Sequence, residues 1–399
     1  MLLKFSLLFL IFGICECHKL AVYWGQDPAG SLKLTLEKSL DYYCSRFDYD
    51  VIPIAFLDFF FYPYNKDHYP SVNFANHCNK TFDGYPGLLD CPKIGASITK
   101  CQQLGKKIII SLGGSAGSYS FSSSSTAVTF ASTIWRLFLG GESTVRPFGD
   151  VGLDGVDLDI EAGTTMYYVD FVQSIRELMN TDQNKKYLIT GAPQCPFPDI
   201  VMGPGSEGTV LHDIPQEFDY LFVQFYNNYC YLGSLTQFNS SMADWLNFAD
   251  QTKQSHGKGP LIFIGLPSHP RASSGSRYYR TPEQVEAVYT TVKYKSNIGG
   301  IMLWDASFDL NNVIDGRPYS SHLKDFLKPE ERKSFMITGG LFIDHLVLAP
   351  VFCVVLCTIF VFFLWKRKTK KGEEKTEGKG EKMDIAFLIQ VEKVCLRGC

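Results

Sequence analysis

The sequence predicts an α/β protein whose main part, residues 18–328, is a (β/α)8 barrel (TIM barrel). Eight short apolar runs alternate with longer helical or loop segments, which is the pattern of parallel strands joined and covered by helices. A sizeable core is expected, because 45% of the 399 residues are hydrophobic and 20% are charged. The predicted strands lie near 19–24, 51–57, 107–112, 153–161, 187–192, 218–226, 260–265 and 299–304. The predicted helices lie near 31–43, 93–104, 126–140, 165–180, 240–255 and 281–295.

The amino-terminal residues 1–17 are typical of a secretory signal peptide. Lys4 precedes an apolar run from Phe5 to Ile14, and small residues follow before His18. The run is too short to span a bilayer. We therefore expect cleavage before His18 and entry of the protein into the secretory pathway.

The carboxyl-terminal part predicts a single membrane anchor. Leu346–Trp365 is a stretch of 20 residues without a charge, which suffices for about 30 Å of hydrocarbon. Basic residues follow at once and mark that side as cytoplasmic. A buried core helix is the alternative, but a stretch that is apolar on every face and ends in basic residues fits a membrane span better. We expect a type I membrane protein with a stalk at 329–345, a span at 346–365 and a partly disordered cytoplasmic tail at 366–399.

The charge distribution argues against nucleic acid as a partner. The tail carries 10 basic and 6 acidic residues, and residues 1–17 are neutral. Residues 18–365 therefore have a net charge of −7 in a chain whose total is −3. Because nucleic-acid phosphates require a basic protein face, an acidic extracellular part does not suit them.

Six of the 12 cysteines lie between the predicted signal peptide and the predicted span. An even number of cysteines in a secreted segment indicates three disulfides, for which the sequence alone leaves about 15 pairings open. No Cys-x-x-Cys pair occurs among them, so a metal cluster is not favoured. The triplets that begin at Asn79 and Asn239 are acceptors for N-glycosylation. The six cysteines are Cys44, Cys78, Cys91, Cys101, Cys195 and Cys230.

Three carboxyl groups on one face of the fourth predicted strand are the strongest indication of chemistry. Side chains two residues apart on a strand share a face, so Asp157, Asp159 and Glu161 point one way. The apolar residues between them point the other way, toward the covering helices. Like charges this close cannot all stay ionised, so at least one of the three should have a raised pKa. A protonated carboxylic acid beside an ionised one is how glycosidases obtain a general acid at neutral pH.

Two other interpretations of the acidic run are weaker. A solvated acidic loop would not interleave Val, Leu and Ile at period two. A divalent-metal site is the second alternative, because hard cations bind carboxylates. No second oxygen-rich cluster is evident near the run, so no metal is predicted.

The segment Asp154–Glu161, DGVDLDIE, matches the DxxDxDxE signature of glycoside hydrolase family 18, the chitinases. Five further segments resemble, in the family's order, its plant and fungal class III (hevamine-like) branch, and the resemblance runs from about residue 19 to residue 327. One acidic motif is moderately specific for the family, whereas six matching segments in the family's order are highly specific for it. The five are Ala21–Gln26, Ser111–Gly114, Ala192–Pro196, Val223–Asn228 and Gly300–Trp304.

The resemblance implies an endo-acting, retaining chitinase in which no enzyme carboxylate becomes a covalent nucleophile. Glu161 would be the general acid and base. Asp159 would orient the substrate's 2-acetamido group, whose carbonyl oxygen attacks the anomeric carbon, and Asp157 would share a proton with Asp159. Tyr226 would donate a hydrogen bond to the acetamido oxygen, whereas Asp154 is expected to shape the start of the strand. No metal or organic cofactor is implied, and we expect a monomer.

The same resemblance implies which residues line the substrate cleft. Trp304 would form the floor beneath the sugar that is cleaved. Asp27 and Asp58 stand where the branch commonly has an amide, which puts the affinity of their subsites in doubt. The remaining cleft residues would be Tyr23, Gln26, Gly114, Gln224 and Asn227, together with Asp58. The implied disulfides are Cys44–Cys101, Cys78–Cys91 and Cys195–Cys230.

Two alternative functions compete with the chitinase hypothesis. The first is a non-catalytic, lectin-like barrel that binds chitin or N-acetylglucosamine oligosaccharides, against which the intact Glu161 argues. The second is a hydrolase that also cuts peptidoglycan, as a lysozyme does. Binding without turnover would favour the first, and comparison of chitin oligomers with bacterial wall would separate the second.

Overall fold

The computed structural model describes residues 18–328. The predicted signal peptide, stalk, membrane span and tail lie outside these residues. Within 18–328, no helix combines the length and the apolar composition needed to cross a bilayer. The described residues therefore coincide with the segment for which the sequence predicts a barrel.

Eight parallel strands close into a barrel in which strands that are consecutive in this numbering are also neighbours in space. The circle closes at β1, which pairs with β8 and, through Ala21 and Val51, with β2. All eight strands lie where the sequence predicts them. They are β1 Lys19–Val22, β2 Val51–Leu57, β3 Lys107–Gly114, β4 Gly155–Ile160, β5 Leu188–Gly191, β6 Tyr220–Gln224, β7 Leu261–Pro267 and β8 Ile298–Trp304.

Helices follow the strands, and five of the six predicted ones are present. The structure adds short helices after β5 and β8 and a helix at the end of the barrel segment, none of which the sequence predicts. The helices are α1 Pro28–Ser31, α2 Leu40–Arg46, α3 Pro92–Gln103, α4 Ser124–Phe138, α5 Tyr168–Thr181, α6 Val210–Asp213, α7 Leu235–His256, α8 Pro282–Val292, α9 Ala306–Leu310 and α10 Tyr319–Leu327.

The sixth predicted helix, at 31–43, is wrong, because the chain is not helical between α1 and α2. Asp27 caps α1 by accepting the N–H of Gly30 at 3.1 Å, and the same oxygen accepts the N–H of Glu37 at 2.9 Å. The Glu37 carboxylate in turn accepts the N–H groups of Gly25 at 3.0 Å and of Asp27 at 3.3 Å. These reciprocal bonds hold the segment as a loop against the end of β1.

The strands read as continuous apolar runs because both of their faces are buried. Every residue of β2 is buried, for example. One face packs against the helices, and the other fills the barrel interior. The interior layer contains Ala21, Tyr23, Val51, Ala55, Phe56, Ile109, Leu188, Ala192, Phe222, Phe263 and Met302. The acidic row on β4 belongs to this inner face.

The three disulfides are those that the resemblance implies. Cys44–Cys101 joins α2 to α3, and Cys78–Cys91 closes the long loop after β2. Cys195–Cys230 joins the loop after β5 to the loop after β6. The acceptor residues Asn79 and Asn239 are both exposed, and their glycosylation stays a prediction.

Asp154 lies at the amino-terminal end of β4, away from the barrel mouth. Its carboxylate accepts the N–H of Ile108 at 2.9 Å and an N–H of the Gln102 amide at 3.0 Å. Lys185 and Lys107 form ion pairs with it at 3.3 and 3.7 Å. These contacts fix the start of the strand, which is the role expected from the sequence.

A buried carboxyl group on α9 joins three parts of the chain. One oxygen of Asp309 accepts the N–H of Ser320 at 2.8 Å, and the other accepts hydrogen bonds from the hydroxyls of Ser320 and Tyr49. Asp309 is completely buried. Burial raises its pKa from 3.8 to about 6, although these donors oppose the rise. The neutral acid is therefore favoured up to mildly acidic pH.

We predict that Asp309→Asn removes one component of the pH dependence of stability. The folded state holds the Asp309 proton more tightly than the unfolded chain, so the associated stability is full below about pH 4 and is lost as the pH rises through about 6. Asn mimics the protonated acid, and both hydroxyl partners can accept its N–H groups. Unfolding of the full chain by denaturant should show the variant gaining up to about 3 kcal/mol relative to wild type between pH 4 and pH 8.

The matched control for this measurement is Asp244→Asn, which alters an exposed carboxylate on α7. Its stability should follow the wild-type pH profile. Parallel pH profiles for wild type and Asp309→Asn would contradict the prediction.

Candidate active site

Asp157 and Asp159 lie on β4 and Glu161 directly follows it, so the acidic row reaches the carboxyl end of the strand. In barrels of this class that end carries the active site. Asp157 is completely buried and Asp159 is 5% exposed, whereas Glu161, just beyond the strand, is partly open to solvent. The row therefore leads from the interior toward the mouth of the barrel.

Asp157 is surrounded by hydroxyl donors from the two neighbouring strands, β3 and β5, and from Tyr23, which follows β1 across the barrel. Its two oxygens accept hydrogen bonds from Tyr23 at 2.7 Å, from Ser111 at 2.7 Å and from Thr190 at 2.5 Å. Burial raises the pKa of Asp157, and the three hydroxyls act in the opposite direction. Asp157 therefore has donors for either protonation state, because each hydroxyl can also accept.

Asp159 has fewer donors and more negative neighbours. The Gln224 amide donates to it at 3.1 Å. Burial raises its pKa well above the ordinary value, and the charges of Glu161, Asp157 and Asp199 raise it further. Asp159 therefore binds a proton at pH values where an exposed aspartate is ionised.

Glu161 combines access to solvent with a raised pKa. Burial of part of its carboxyl group is the main cause, and the nearby charge of Asp199 is the second. A carboxylic acid that stays protonated toward neutral pH and remains accessible can donate a proton to a bound molecule. The geometry suits a general acid at this position.

Tyr226 follows β6 and is 8% exposed. Burial raises the pKa of its phenol well above the ordinary value, and the charges of Asp159 and Glu161 raise it further. The phenol therefore stays protonated and can donate a hydrogen bond into the space beside the acidic row.

Aromatic rings form the floor next to the row. Trp304, the last residue of β8, stacks on Phe56 with ring centroids 6.0 Å apart and an interplanar angle of 19°. Tyr23 packs against Trp304 at 5.7 Å. Gly114 has φ +89°, and a Cβ there would approach the Phe56 ring to 3.0 Å. The sequence did not identify Phe56, because a Phe in an apolar strand is ordinarily a core residue.

The other predicted cleft residues lie around the mouth, each fixed by hydrogen bonds. The Gln26 amide donates to the carbonyl oxygens of Ala55 and Asn73, both at 2.9 Å. Gln224 donates to Asp159 and to the Ala192 carbonyl. The side-chain oxygen of Asn227 accepts hydrogen bonds from the backbone N–H and the hydroxyl of Ser274.

Asp27 and Asp58, which stand where the family branch commonly has an amide, have different surroundings. Asp27 is 5% exposed. Its carboxylate accepts hydrogen bonds from the backbone N–H groups of Gly30 and Glu37 and, at 2.8 Å, from the Asn76 amide. This group therefore serves the loop, and the expectation about a subsite at Asp27 stays a prediction. Asp58 is half-buried, and its Oδ1 has no partner among the described residues. Burial raises the pKa of Asp58.

A fourth carboxyl group near the row was not identified from the sequence. Asp199 lies in the loop after β5 and accepts three backbone N–H groups, from Gln194 at 3.1 Å, Val201 at 2.9 Å and Met202 at 2.6 Å. Burial raises its pKa, and these donors oppose the rise. An Asp that follows two prolines is typical of an ordinary turn, so this proximity could not be predicted from the sequence.

A second buried acidic network lies behind the mouth, where β1 and β8 end. His77 contacts the Glu37 carboxylate at 2.8 Å, and its ring packs at a tilt of 37° against Trp24. Burial lowers the pKa of His77 to about 4 and raises the pKa of Glu37. Burial also raises the pKa of Asp305, and the charge of Glu37 adds to this. Burial therefore disfavours the charged form of each of these three side chains.

No group of three or more His, Cys, Asp or Glu residues within 18–328 is arranged to hold a metal ion. A depression of about 750 Å³ lies at the opposite end of the barrel, among the loops that precede β5, β6 and β7. It is lined by Arg176, whose guanidinium pairs with Asp219 at 3.1 Å, and by Lys258, which pairs with the same carboxylate at 3.1 Å. It contains no part of the acidic row.

Comparison with curated proteins shows similarity to fungal enzymes. The chain is 39% identical over 311 residues to Chitinase 2 of Candida albicans, covering 78% of this chain and 48% of that protein. It is 41% identical over 290 residues to Chitinase 2 of Rhizopus oligosporus, covering 73% of this chain and 49% of that protein. The chain therefore spans about half the length of these curated relatives.

Solved structures resemble the barrel segment. The chitinase ICChI from Ipomoea carnea is 32% identical with a TM-score of 0.62, covering 77% of this chain and 99% of that one. The xylanase and alpha-amylase inhibitor protein XAIP-II from Scadoxus multiflorus is 27% identical with a TM-score of 0.58, covering 77% and 97%.

The family model described as Glycosyl hydrolases family 18 matches residues 19–278, a span that contains the acidic row, Tyr226 and all three disulfides. Together with the closed barrel and the position of the row at its mouth, this match shows that the chain belongs to family 18 of the glycosyl hydrolases.

Proposed function

We propose that the protein is an endo-acting chitinase that hydrolyses β-1,4 bonds between N-acetylglucosamine units with retention of configuration. The single observation that carries the proposal is the arrangement of the row, in which a partly exposed acid with a raised pKa follows two buried carboxyl groups on one strand. The fungal relatives named as chitinases support the choice of substrate.

In the proposed reaction Glu161 donates its proton to the oxygen of the leaving sugar. The carbonyl oxygen of the substrate's own 2-acetamido group attacks the anomeric carbon and forms a cyclic oxazolinium ion. The Glu161 carboxylate then removes a proton from the water that opens this ion. Configuration is retained, because the anomeric carbon is attacked twice from opposite faces.

The buried groups would orient and stabilise that intermediate. Asp159 would accept a hydrogen bond from the acetamido N–H, and its charge would balance the positive oxazolinium ion. Tyr226 would donate to the acetamido oxygen, because its phenol stays protonated. Asp157, bound by three hydroxyls, would exchange a proton with Asp159 as the charge develops.

A non-catalytic binding barrel is the main competing function. A solved relative that is 27% identical carries the name of an enzyme inhibitor, so a similar barrel need not be named as an enzyme. The complete set of Asp157, Asp159, Glu161 and Tyr226 favours catalysis. Activity on peptidoglycan would be an extension of the substrate range. The acidic row itself does not discriminate between chitin and peptidoglycan.

We also propose that the enzyme is held on the extracellular or lumenal side of a membrane. The support is the uncharged stretch Leu346–Trp365 with basic residues directly after it, and the signal-like residues 1–17. The protein would then act on chitin outside the cytoplasm while staying attached to the cell.

We predict that Glu161→Gln lowers the cleavage rate of a chitin tetramer by about 10²–10⁴-fold, because the amide cannot supply the proton. Purified full chain in detergent would be assayed by proton NMR, which reports both the rate and the anomer formed first. The wild type should release the β-anomer. Glu142→Gln, an exposed change at the opposite end of the barrel, should cleave like wild type. An α-anomer as first product would contradict the mechanism.

We predict that kcat/KM falls on the alkaline side as Glu161 loses its proton. Because the Asp199 charge raises the pKa of Glu161, Asp199→Asn should move this fall to lower pH. The other ionisable groups near Glu161 are Asp159, Tyr119 and Tyr226, which are unchanged in the variant. A wild-type profile still rising at about pH 9, or an unshifted alkaline limb in the variant, would contradict this assignment.

We predict that the full chain expressed in a secretory host remains with membranes after alkaline extraction. Deletion of residues 346–365 should release an active enzyme into the medium, because the apolar stretch supplies the anchoring. Cell fractionation, with antibodies against the tail, measures how much of the protein is in the membrane fraction and how much is in the medium. Recovery of the full chain in the medium with its tail intact would contradict the anchor.

A further inference from the structure

The predicted floor of the cleft, Trp304, is the last residue of β8, at the point where regular pairing with β7 ends. Its ring packs against Phe56 and Tyr23 but is only partly buried, so the neighbouring rings do not enclose it. The direction of the ring therefore also depends on how firmly the backbone that carries it is held. Two buried polar residues beside this backbone, Ser268 and Asp305, make contacts that the proposed mechanism does not use. We call these two residues the floor clamp.

Ser268, which directly follows β7, holds this backbone from one side. Its N–H donates to the carbonyl oxygen of Trp304 at 2.9 Å. Its hydroxyl lies within hydrogen-bond distance of two successive carbonyl oxygens, that of Asp305 at 2.8 Å and that of Trp304 at 3.2 Å, and can share its hydrogen between them. The Ser268 carbonyl oxygen in turn accepts an N–H of the Asn312 amide at 2.6 Å. One buried side chain thus fixes the carbonyl group of the residue that bears the ring and of the residue after it.

Asp305 holds the same backbone from the other side. One of its carboxyl oxygens caps α9 by accepting the N–H of Phe308 at 3.0 Å, and it also accepts the hydroxyl of Ser307 at 2.8 Å. The Ser307 hydroxyl accepts the N–H of Ala29 at 3.2 Å, and Ala29 belongs to α1. The chain that follows the ring is therefore tied to the short helix after β1.

The floor clamp lies beyond the pairs that close the barrel, because β8 is already paired with β1 and, as far as Pro267, with β7. Ser268 is 0% exposed and Asp305 is 1% exposed, so neither side chain faces a ligand. Burial is the main cause of the raised pKa of the Tyr226 phenol, and the charge of Asp305 adds to it after those of the acidic row. Asp305 is therefore near that phenol. The floor clamp lies directly behind the site without reaching into it.

We propose that Ser268 and Asp305 are positioning residues that hold the Trp304 ring in one direction and thereby set the rate of cleavage. They would act through the ring, because neither touches the substrate. A displacement of about 1 Å in a positioning group can lower a rate by about 10²-fold, so a small change in the direction of the floor is enough to matter. This inference rests on the proposed function.

The first measurement is the cleavage of a chitin tetramer by the purified full chain in detergent. We expect Ser268→Ala to lower kcat about tenfold and to change KM by less than about twofold. The ring would still bind the sugar in this variant but would hold it less well for the reaction. A lower stability alone would not produce this division between kcat and KM at a temperature where the variant is folded.

The second measurement repeats the substitution in a chain that lacks the ring. Trp304→Ala is expected to lower kcat/KM by itself. If Ser268 acts through the ring, adding Ser268→Ala to Trp304→Ala should change kcat/KM by less than about twofold. A further tenfold loss in the double variant would overturn the proposal, because the hydroxyl would then act independently of Trp304.

Three variants complete the set, and their melting temperatures show that each is folded during the assay. Asp305→Ala acts on the same backbone from the other side and should also lower kcat, so it decides the question if Ser268→Ala does not fold. Asp305→Asn keeps the oxygen that caps α9 and should retain most of the activity. Thr252→Val removes a buried hydroxyl that donates to the Phe248 carbonyl at 2.9 Å within α7, and it should cleave like wild type.

Fluorine NMR of the chain labelled with 5-fluorotryptophan gives a measurement that does not depend on activity. The resonance of Trp304 is identified as the one that disappears in Trp304→Phe. We expect one narrow resonance in wild type and in Thr252→Val, and a broadened or split resonance in Ser268→Ala. A resonance that is narrow and unshifted in Ser268→Ala would overturn the proposal.

The outcomes separate the inference from the function on which it rests. Wild type that does not cleave the tetramer would overturn the proposed function and the rate effect with it, even if the fluorine spectra show that the floor clamp holds the ring. Active wild type with an unchanged kcat in both Ser268→Ala and Asp305→Ala would overturn this inference alone.

Discussion

Three carboxyl groups in the mouth of an otherwise apolar barrel are the constraint on which the rest of the site depends. Burial favours the neutral form of each group, and repulsion between them adds to that effect. Asp157 receives three hydroxyl hydrogen bonds, Asp159 one from an amide, and Glu161 remains partly open to water. This gradient of surroundings gives similar side chains different proton affinities, as separate acid and stabilising roles require.

The constraint extends to a residue outside the row. Asp199 is buried near Glu161, and its three backbone donors oppose the rise in its pKa that burial causes. The same donors define the turn that carries Ile200. A single side chain thus contributes to the proton affinity of the acid and to the shape of the loop beside it.

Most of the barrel and the row could be predicted because both depend on local spacing. Parallel strands buried on both faces leave continuous apolar runs, and a period of two placed the three carboxyls on one face. The loop between α1 and α2 could not be predicted, since Glu37 is fixed there by Gly25 and by His77, 40 residues away. The proximity of Asp199 to Glu161 could not be predicted either, because the two residues are far apart in the sequence. The disulfide pairing came from the family resemblance, because spacing alone left it open.

The two sides of the mouth are built from different kinds of interaction. At the ends of β1 and β3, Gln26 is fixed by two backbone carbonyls, and Gly114 lets the Phe56 ring approach the backbone closely. Across the mouth, the loops after β5 and β6 offer exposed apolar surface and are joined by a disulfide. In the proposed reaction the leaving fragment must depart before water reaches the oxazolinium ion, while the retained fragment must stay. The mouth offers directional polar contacts at the ends of β1 and β3 and non-directional apolar surface on the loops after β5 and β6.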